Sequence, residues 1–293
     1  LCGKTGGLIH AQRRKSVAVL DERLGAERVM RAVMVLLFAS MIAPAQAAEV
    51  LLHAAGSLRA ALTEVAEAYE KASGNTVRGT YGASGTLRDR IAAGEPAQVF
   101  ASANMAHPQS LAAAGKSSAV VLFARNRLCA LVRPNLAVTP ATLLEQMLNP
   151  SVKVGTSTPK ADPSGDYAFE VFAKAEALKG GARAALEAKA LQLSGAPDSA
   201  RPPEGRNLYG WHVAEGRADI YLCYCTAASA AQRENPGQQI VALPDALAVG
   251  ADYGLTVMNG APAAAHHLAL FVLSDGGQRI LARHGFAAPL LAQ

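Results

Sequence analysis

The sequence predicts an α/β fold of two lobes, each a mostly parallel sheet flanked by helices, with a ligand cleft between them. Three observations carry this expectation. Strand-like apolar runs alternate with helical patterns from residue 49 onward, the signature of βαβ units. Residues 54–87 hold two near-copies of one device, Ala54-Ala55-Gly56-Ser57-Leu58 and Tyr81-Gly82-Ala83-Ser84-Gly85-Thr86-Leu87, each where an apolar run gives way to a helical pattern. Residues 120–132 form a long apolar stretch broken by Arg125-Asn126-Arg127, which reads as one extended segment leaving a first lobe and entering a second.

The first lobe opens with a strand at 50–55, a helix at 58–72, a strand at 76–81, a helix at 85–93, a strand at 98–102 and a helix at 108–114. Leu58, Leu62, Val65, Ala66 and Tyr69 fall at helical spacing, and Ser73-Gly74-Asn75 stops that helix. After the crossing stretch, Pro134 and Pro140 mark a linker-like region before a helix at 141–148. A strand at 152–156 leads through Asp162-Pro163-Ser164-Gly165-Asp166-Tyr167 into a helix that runs to 178, with Pro suited to its first turn. A helix at 182–190, a polar Pro-rich loop at 194–204 and a helix at 208–215 follow. Residues 218–226 are apolar on both faces, as a strand inside a parallel sheet is. A helix at 227–234, strands at 239–243 and 253–258, and helices at 268–273 and 278–284, broken at Asp275-Gly276-Gly277, complete the chain. Lobe 1 is read as 48–128 with 250–293, and lobe 2 as 129–249.

The formal charge of +5 belongs to the beginning of the chain. Seven of the 28 Lys/Arg but only three of the 23 Asp/Glu lie in residues 1–47, so the remainder is nearly neutral. With no basic stripe interleaved with aromatic residues, nucleic acid is a poor partner. Met30-Arg31 followed by the apolar run 32–43 and the small-x-small triplet Ala45-Gln46-Ala47 reads as a signal peptide, 30–47, cleaved after Ala47. The apolar run is too short for a membrane span. Residues 1–29 are read as an upstream segment, with Met30 the candidate start. The mature protein is expected in the periplasm.

Cys129, Cys223 and Cys225 remain after that cleavage, an odd number for an exported protein. Cys223 and Cys225 would share one face of a strand, and i, i+2 neighbours make a poor disulfide. A bridge from Cys129 to one of them is the lesser reading, and a metal site is less favoured still, since no second Cys/His pair lies at a useful spacing.

A serine at a helix start is ordinarily only a cap. Ser57, Ser84 and Ser164, each beside a Gly that permits close backbone approach, form a recurring pattern instead. If such ends converge, their unpaired N–H groups and hydroxyls make an anion site. The nucleophile elbow fails at Gly82-Ala83-Ser84-Gly85-Thr86, where Thr replaces the final Gly, so an exported serine hydrolase using Ser84 is the lesser alternative. No Gly-rich nucleotide fingerprint occurs, and His266-His267 lacks the spacing of a helical metal pair. Trp211 and Tyr209 read as packing, and Asp162, Asp166 and Asp219 as a turn residue, a helix-start charge and a strand-edge charge. Catalysis and a resident cofactor are not expected.

The two serine turns, together with Phe123-Ala124-Arg125-Asn126-Arg127-Leu128, residues 219–226, Tyr253-Gly254-Leu255-Thr256-Val257 and residues 277–286, resemble the molybdate-binding periplasmic proteins of molybdate ABC importers, within the type II periplasmic binding superfamily. The resemblance implies a tetrahedral oxyanion ligand, molybdate or tungstate, held by Ser57, Ser84 and the hydroxyl of Tyr224. It also implies backbone donors at Pro163-Ser164-Gly165, a helix start near Arg206 and Asn207, and an ABC permease and ATPase as partners of a monomer. The sequence departs from the family pattern at Gln98-Val99-Phe100, where Asp-Val-Phe is usual, and at Tyr224-Cys225-Thr226-Ala227-Ala228, where Tyr-x-Ser/Thr-Asp-Ala is usual. Sulfate, phosphate or an organic acid is the alternative ligand, and Arg206 within the cleft would favour a carboxylate or phosphate.

Overall fold

The computed structural model describes residues 47–289. The upstream segment and, apart from Ala47, the signal segment lie outside the described residues, as do residues 290–293.

The chain begins as expected. Strand β1 (Glu49–Ala55) passes through a 3-10 turn, Gly56–Leu58, into helix α1 (Arg59–Ser73). Helix α1 buries Ala61, Leu62, Val65, Ala66 and Tyr69, one apolar stripe at spacings of three and four. Strand β2 (Thr76–Gly82), helix α2 (Ser84–Ala92), strand β3 (Val99–Ser102) and helix α3 (Ala106–Ala113) follow. The crossing stretch is one 12-residue strand, β4 (Val121–Val132). Next come α4 (Leu143–Leu148), β5 (Val154–Ser157), α5 (Pro163–Leu178), α6 (Ala182–Lys189), β6 (Leu191–Ser194) and α7 (Leu208–Ala214). The last elements are β7 (Ile220–Tyr224), α8 (Cys225–Glu234), β8 (Gln239–Ala242), β9 (Gly250–Val257), α9 (Ala263–Leu273) and α10 (Asp275–Arg283).

Nine described strands join in the order β2-β1-β3-β9-β4-β7-β5-β6, with β8 also paired to β4. The sheet is mixed, which corrects the mostly parallel expectation. β1 is parallel to β2 and β3, and β5 is parallel to β6 and β7. β9 runs antiparallel to β3 and β4, and β4 runs antiparallel to β7 and β8. The physical reason is the return of the chain: β8 and β9, joined by a short 3-10 turn, Asp245–Leu247, run back in one direction along β4, so both pair with it antiparallel. Strand β4 changes partners along its length. Residues up to Arg127 pair with β9, and residues from Leu128 pair with β7. A first half of the sheet (β1, β2, β3, β9 and the start of β4) and a second half (β5 to β8 and the end of β4) thus share one strand.

Three local differences matter. β6 occupies the residues between a helix read as ending at 190 and a loop read from 194; its exposed Leu191 and Gln192 gave no alternation to detect. The break between the last two helices falls at Ser274, whose Oγ accepts the Gly277 N–H at 3.2 Å, so Asp275-Gly276-Gly277 lies inside α10. β7 ends at Tyr224, so Cys225 and Thr226 open α8. That last change removes the premise that Cys223 and Cys225 share a strand. Cys225 turns the corner and forms a disulfide with Cys129 on β4, and the described free thiol, Cys223, is buried directly across from Cys129 in the ladder.

The disulfide closes a sequence separation of 96 residues. Chain-entropy reasoning for so long a loop gives about 4–5 kcal/mol, against the roughly 2–4 kcal/mol that disulfides typically deliver. Reduction with dithiothreitol, or a Cys129→Ser Cys225→Ser double substitution, is therefore expected to lower the melting temperature by several degrees, read by circular dichroism.

His212 on α7 is fully buried, stacked on Tyr221 at 5.9 Å between ring centroids and tilted against Trp211. Burial lowers its pKa from 6.5 to about 4, with the Arg217 guanidinium adding to the effect. A histidine held neutral in the fold contributes stability that is present above its ordinary pKa and lost as pH falls through the folded value. The protein should lose stability between about pH 6.5 and 4, and His212→Phe should flatten that slope in chemical denaturation across this range.

Candidate functional site

A cavity of about 750 Å³ opens between the two halves of the sheet. The first half contributes the turn after β1, the start of α1, the end of β2 and α2; the second contributes Asp162, the loop after β6, the starts of α7 and α8, and Tyr224. Strand ends and helix starts meet there, where ligands of α/β sheets bind.

Four of the six residues singled out by sequence line this cavity: Ser57, Arg206, Asn207 and Tyr224. Ser57 sits in the 3-10 turn, and its Oγ lies 3.0 Å from the Tyr253 hydroxyl. Tyr253 on β9 is fully buried. Asn126, where β4 approaches its change of partners, donates from Nδ2 to Thr226 Oγ1 at 2.8 Å and to the Tyr253 hydroxyl at 3.4 Å. Ser57, Tyr253, Asn126 and Thr226 thus form a hydrogen-bonded chain from the first half to the first turn of α8.

Tyr224 ends β7 with its ring 5.6 Å from that of Tyr253 and 6.3 Å from that of Tyr167. Its hydroxyl is buried and has no hydrogen-bond partner among the described residues. Burial raises its pKa, so the group remains an O–H donor. A buried polar group left unpaired costs about 1–3 kcal/mol. One on a cavity wall therefore marks a place for an acceptor from outside the chain.

Asn207 caps α7, its side chain accepting the Gly210 N–H at 2.9 Å. Its own N–H donates to Glu234 Oε2 at 2.6 Å, and Arg206 pairs with the other oxygen of the same carboxylate. Glu234, at the end of α8, thereby ties the start of α7 to that helix.

Ser84 and Ser164 lie outside the cavity lining, and the backbone amides of Gly85, Ser164 and Gly165 are taken within the protein. Ser84 is buried, and its Oγ accepts the Ala103 N–H at 3.1 Å rather than facing a histidine. The next amide, Gly85 N–H, donates to the Ala161 carbonyl at 2.9 Å, which docks the loop after β5 onto the first turn of α2. A Cβ on Gly85 would stand 2.7 Å from that carbonyl oxygen, so the approach requires glycine. At α5, the Ser164 N–H donates to Asp162 Oδ1 at 3.1 Å and the Gly165 N–H to the Asp162 carbonyl at 2.8 Å. The helix start is already capped from within the chain by the side chain of Asp162. Ser164 Oγ is buried without a partner among the described residues. Burial raises the Asp162 pKa, while the Ser164 amide and the Ser157 hydroxyl oppose that rise. Gly195, at φ 93°, lets the loop after β6 pass against the Asp162 side chain.

Charge on the walls is predominantly positive. Arg59, Arg90, Arg201, Arg206 and Arg233 line the cavity, and Asp162 is the carboxylic acid among its lining residues. Glu95 pairs with Arg90 and Glu234 with Arg206. Arg59, Arg201 and Arg233 have no carboxylate partner among the described residues, and Arg59 lies over the Tyr81 ring at 4.7 Å. Sequence reasoning missed Tyr253, Asn126, Thr226 and Asp162 as site residues, together with these three arginines. Tyr253 and Asn126 sat inside segments quoted for the resemblance, whereas Arg201, in a Pro-rich loop, carried no signal.

Residues 50–287 match the family described as bacterial extracellular solute-binding protein. The chain belongs to that family. An uncharacterised protein of Pasteurella multocida (strain Pm70) is 35% identical over 203 residues, covering 69% of this chain and 84% of that protein. Among solved structures, the sulfate-binding protein SubI from Mycobacterium tuberculosis H37Rv aligns with a TM-score of 0.66 at 19% identity, over 83% of this chain and 88% of that one. The periplasmic molybdate-binding protein of Azotobacter vinelandii aligns with a TM-score of 0.65 at 16% identity, over 82% of this chain and 99% of that one. Both likenesses concern the fold, the two-lobed architecture of periplasmic binding proteins.

The Gly85 contact makes a prediction of unusual sign. Glycine to alanine inside a helix ordinarily stabilises by about 0.5–1 kcal/mol. Here the added methyl meets the Ala161 carbonyl, so Gly85→Ala should destabilise by about 1–3 kcal/mol in urea denaturation.

Proposed function

We propose that this protein captures an anion in the cleft between its halves, outside the cytoplasmic membrane, and delivers it to the permease and ATPase of an ABC importer. The observation that carries this is the Tyr224 hydroxyl, a buried donor without a partner among the described residues, on a residue lining a cleft that is also lined by arginines. Family membership supports binding and transport in place of catalysis. The halves would act as lobes hinged at β4 and β9, closing on the ligand as such proteins do.

Molybdate or tungstate, the ligand implied by the resemblance, is supported by the hydroxyls of Ser57 and Tyr224 in one cavity. Neutral hydroxyls can surround a dehydrated dianion and select it by size. Against this stand the backbone donors at Gly85, Ser164 and Gly165, which are satisfied internally. The anion reading is therefore carried by side chains more than by helix ends.

A thermal-shift panel of molybdate, tungstate, sulfate, phosphate and small carboxylates at equal ionic strength tests it. A ligand at a hundred times its Kd adds about 2.7 kcal/mol of stability, so at least one anion should raise the melting temperature by several degrees; no response to any of them removes the reading. Tyr224→Phe should act with opposite signs on two measurements. It should leave the unliganded protein as stable or slightly more so, because a buried unpaired hydroxyl is gone, while weakening anion binding by about 1–3 kcal/mol.

A further inference from the structure

The cleft is larger and more positive than a bare tetrahedral ion requires. Water occupies about 30 Å³ per molecule in the liquid, so an ion of five heavy atoms displaces on the order of 100 Å³. The cavity holds about 750 Å³. The halves touch at one side of it, where the Gly85 N–H donates to the Ala161 carbonyl across them, and the space persists with that contact made.

Three exposed arginines without a carboxylate partner among the described residues line that space from both halves. Arg59 stands on the first half, at the start of α1, held over Tyr81. Arg201 and Arg233 stand on the second half, one in the loop after β6 and one near the end of α8. Each offers a planar fork of donors matched to a carboxylate or phosphoryl group. Much of the remaining wall is small and apolar, including Ala60, Ala196, Ala200, Ala227 and Ala230, a lining suited to a short carbon chain.

We propose that the ligand is an organic dianion, a carboxylate and a phosphoryl or phosphonate group joined by a short carbon chain, with one anionic end against Arg59 and the other against Arg201 and Arg233. The inference rests on the anion-capture reading and narrows it to a class. Such a ligand bridges the two halves, so its second charged group adds affinity that neither single group possesses.

Isothermal titration calorimetry on the mature protein tests this. Phosphonoacetate, 3-phosphonopropionate and 4-phosphonobutyrate are compared with methylphosphonate, acetate, phosphate, sulfate and molybdate. At least one phosphonocarboxylate should bind about tenfold or more tighter than every single-group anion. Arg59→Gln, Arg201→Gln and Arg233→Gln should each reduce that advantage, with the melting temperature of the unliganded variants reporting that they fold. Phosphate, sulfate, molybdate or methylphosphonate binding as tightly as the best phosphonocarboxylate overturns the inference and leaves anion capture standing, as does an undiminished advantage in all three variants. Failure of every anion to bind overturns both.

Discussion

The hydrogen-bond ladder of β4 is the constraint on which the rest of the molecule depends. A strand can pair on both sides, and β4 uses that capacity in two places along its length, with β9 over its first residues and with β7 and β8 over its last. Both halves are therefore registered against one backbone. Everything that faces the cleft inherits its position from that shared register: Ser57 through Tyr253 on β9, and Tyr224 at the end of β7. Asn126, just before the change of partners, is placed to bond both sides, and it does so through Tyr253 and Thr226. A rotation of one half about β4 would have to stretch or break that pair of bonds, so Asn126 lies where a change in the angle between the halves is first felt.

The three serine turns show why helix starts with near-identical sequences differ in function. Each leaves amides at a helix N-terminus that must be satisfied. At Ser57 the 3-10 turn leaves the hydroxyl directed to Tyr253 at the cavity. At Ser84 the following amide is taken by a carbonyl from the other half. At Ser164 a residue two positions earlier supplies a carboxylate. The helix-dipole argument favours an anion at each start, but it does not say whose anion. Asp162 satisfies α5 from within the chain, and the electrostatic attraction available to a ligand passes to the arginine side chains.

How much of this was legible follows from the range of the forces involved. The alternation of strands and helices is local, and residues 49–114 were read to within two residues of each boundary because apolar spacing and stop signals decide there. The crossing strand was legible because an apolar run longer than an ordinary strand has few other uses. Strand direction around β9 was not, since it depends on which strand the returning chain pairs with, and that partner, β4, lies more than 120 residues earlier. The end of β7 was misplaced because Cys225 and Thr226 are as acceptable in a strand as in a helix, and that two-residue difference obscured the disulfide. At the site, hydroxyls beside glycines could be seen in the sequence. The fate of each amide could not, because Gly85 meets Ala161 and Asn207 meets Glu234 only after folding.

The disulfide acquires its meaning from the same geometry. Cys225 lies between Tyr224 and Thr226, two residues that line the cavity, and its partner Cys129 stands just beyond the point where β4 changes partners. A covalent bond at that position does more than constrain the unfolded chain. It fixes the first turn of α8 to the strand both halves share, so the Tyr224 hydroxyl and the Thr226 acceptor for Asn126 keep one position relative to Ser57 and Tyr253. Arg233 and Glu234 lie on the same helix, and Glu234 holds Arg206 and Asn207. The second half's contribution to the cleft is therefore anchored through one helix, and that helix is anchored at its origin. Preorganised donors lose less freedom when a ligand arrives, and a bond formed in an oxidising compartment provides that preorganisation where the protein is expected to work.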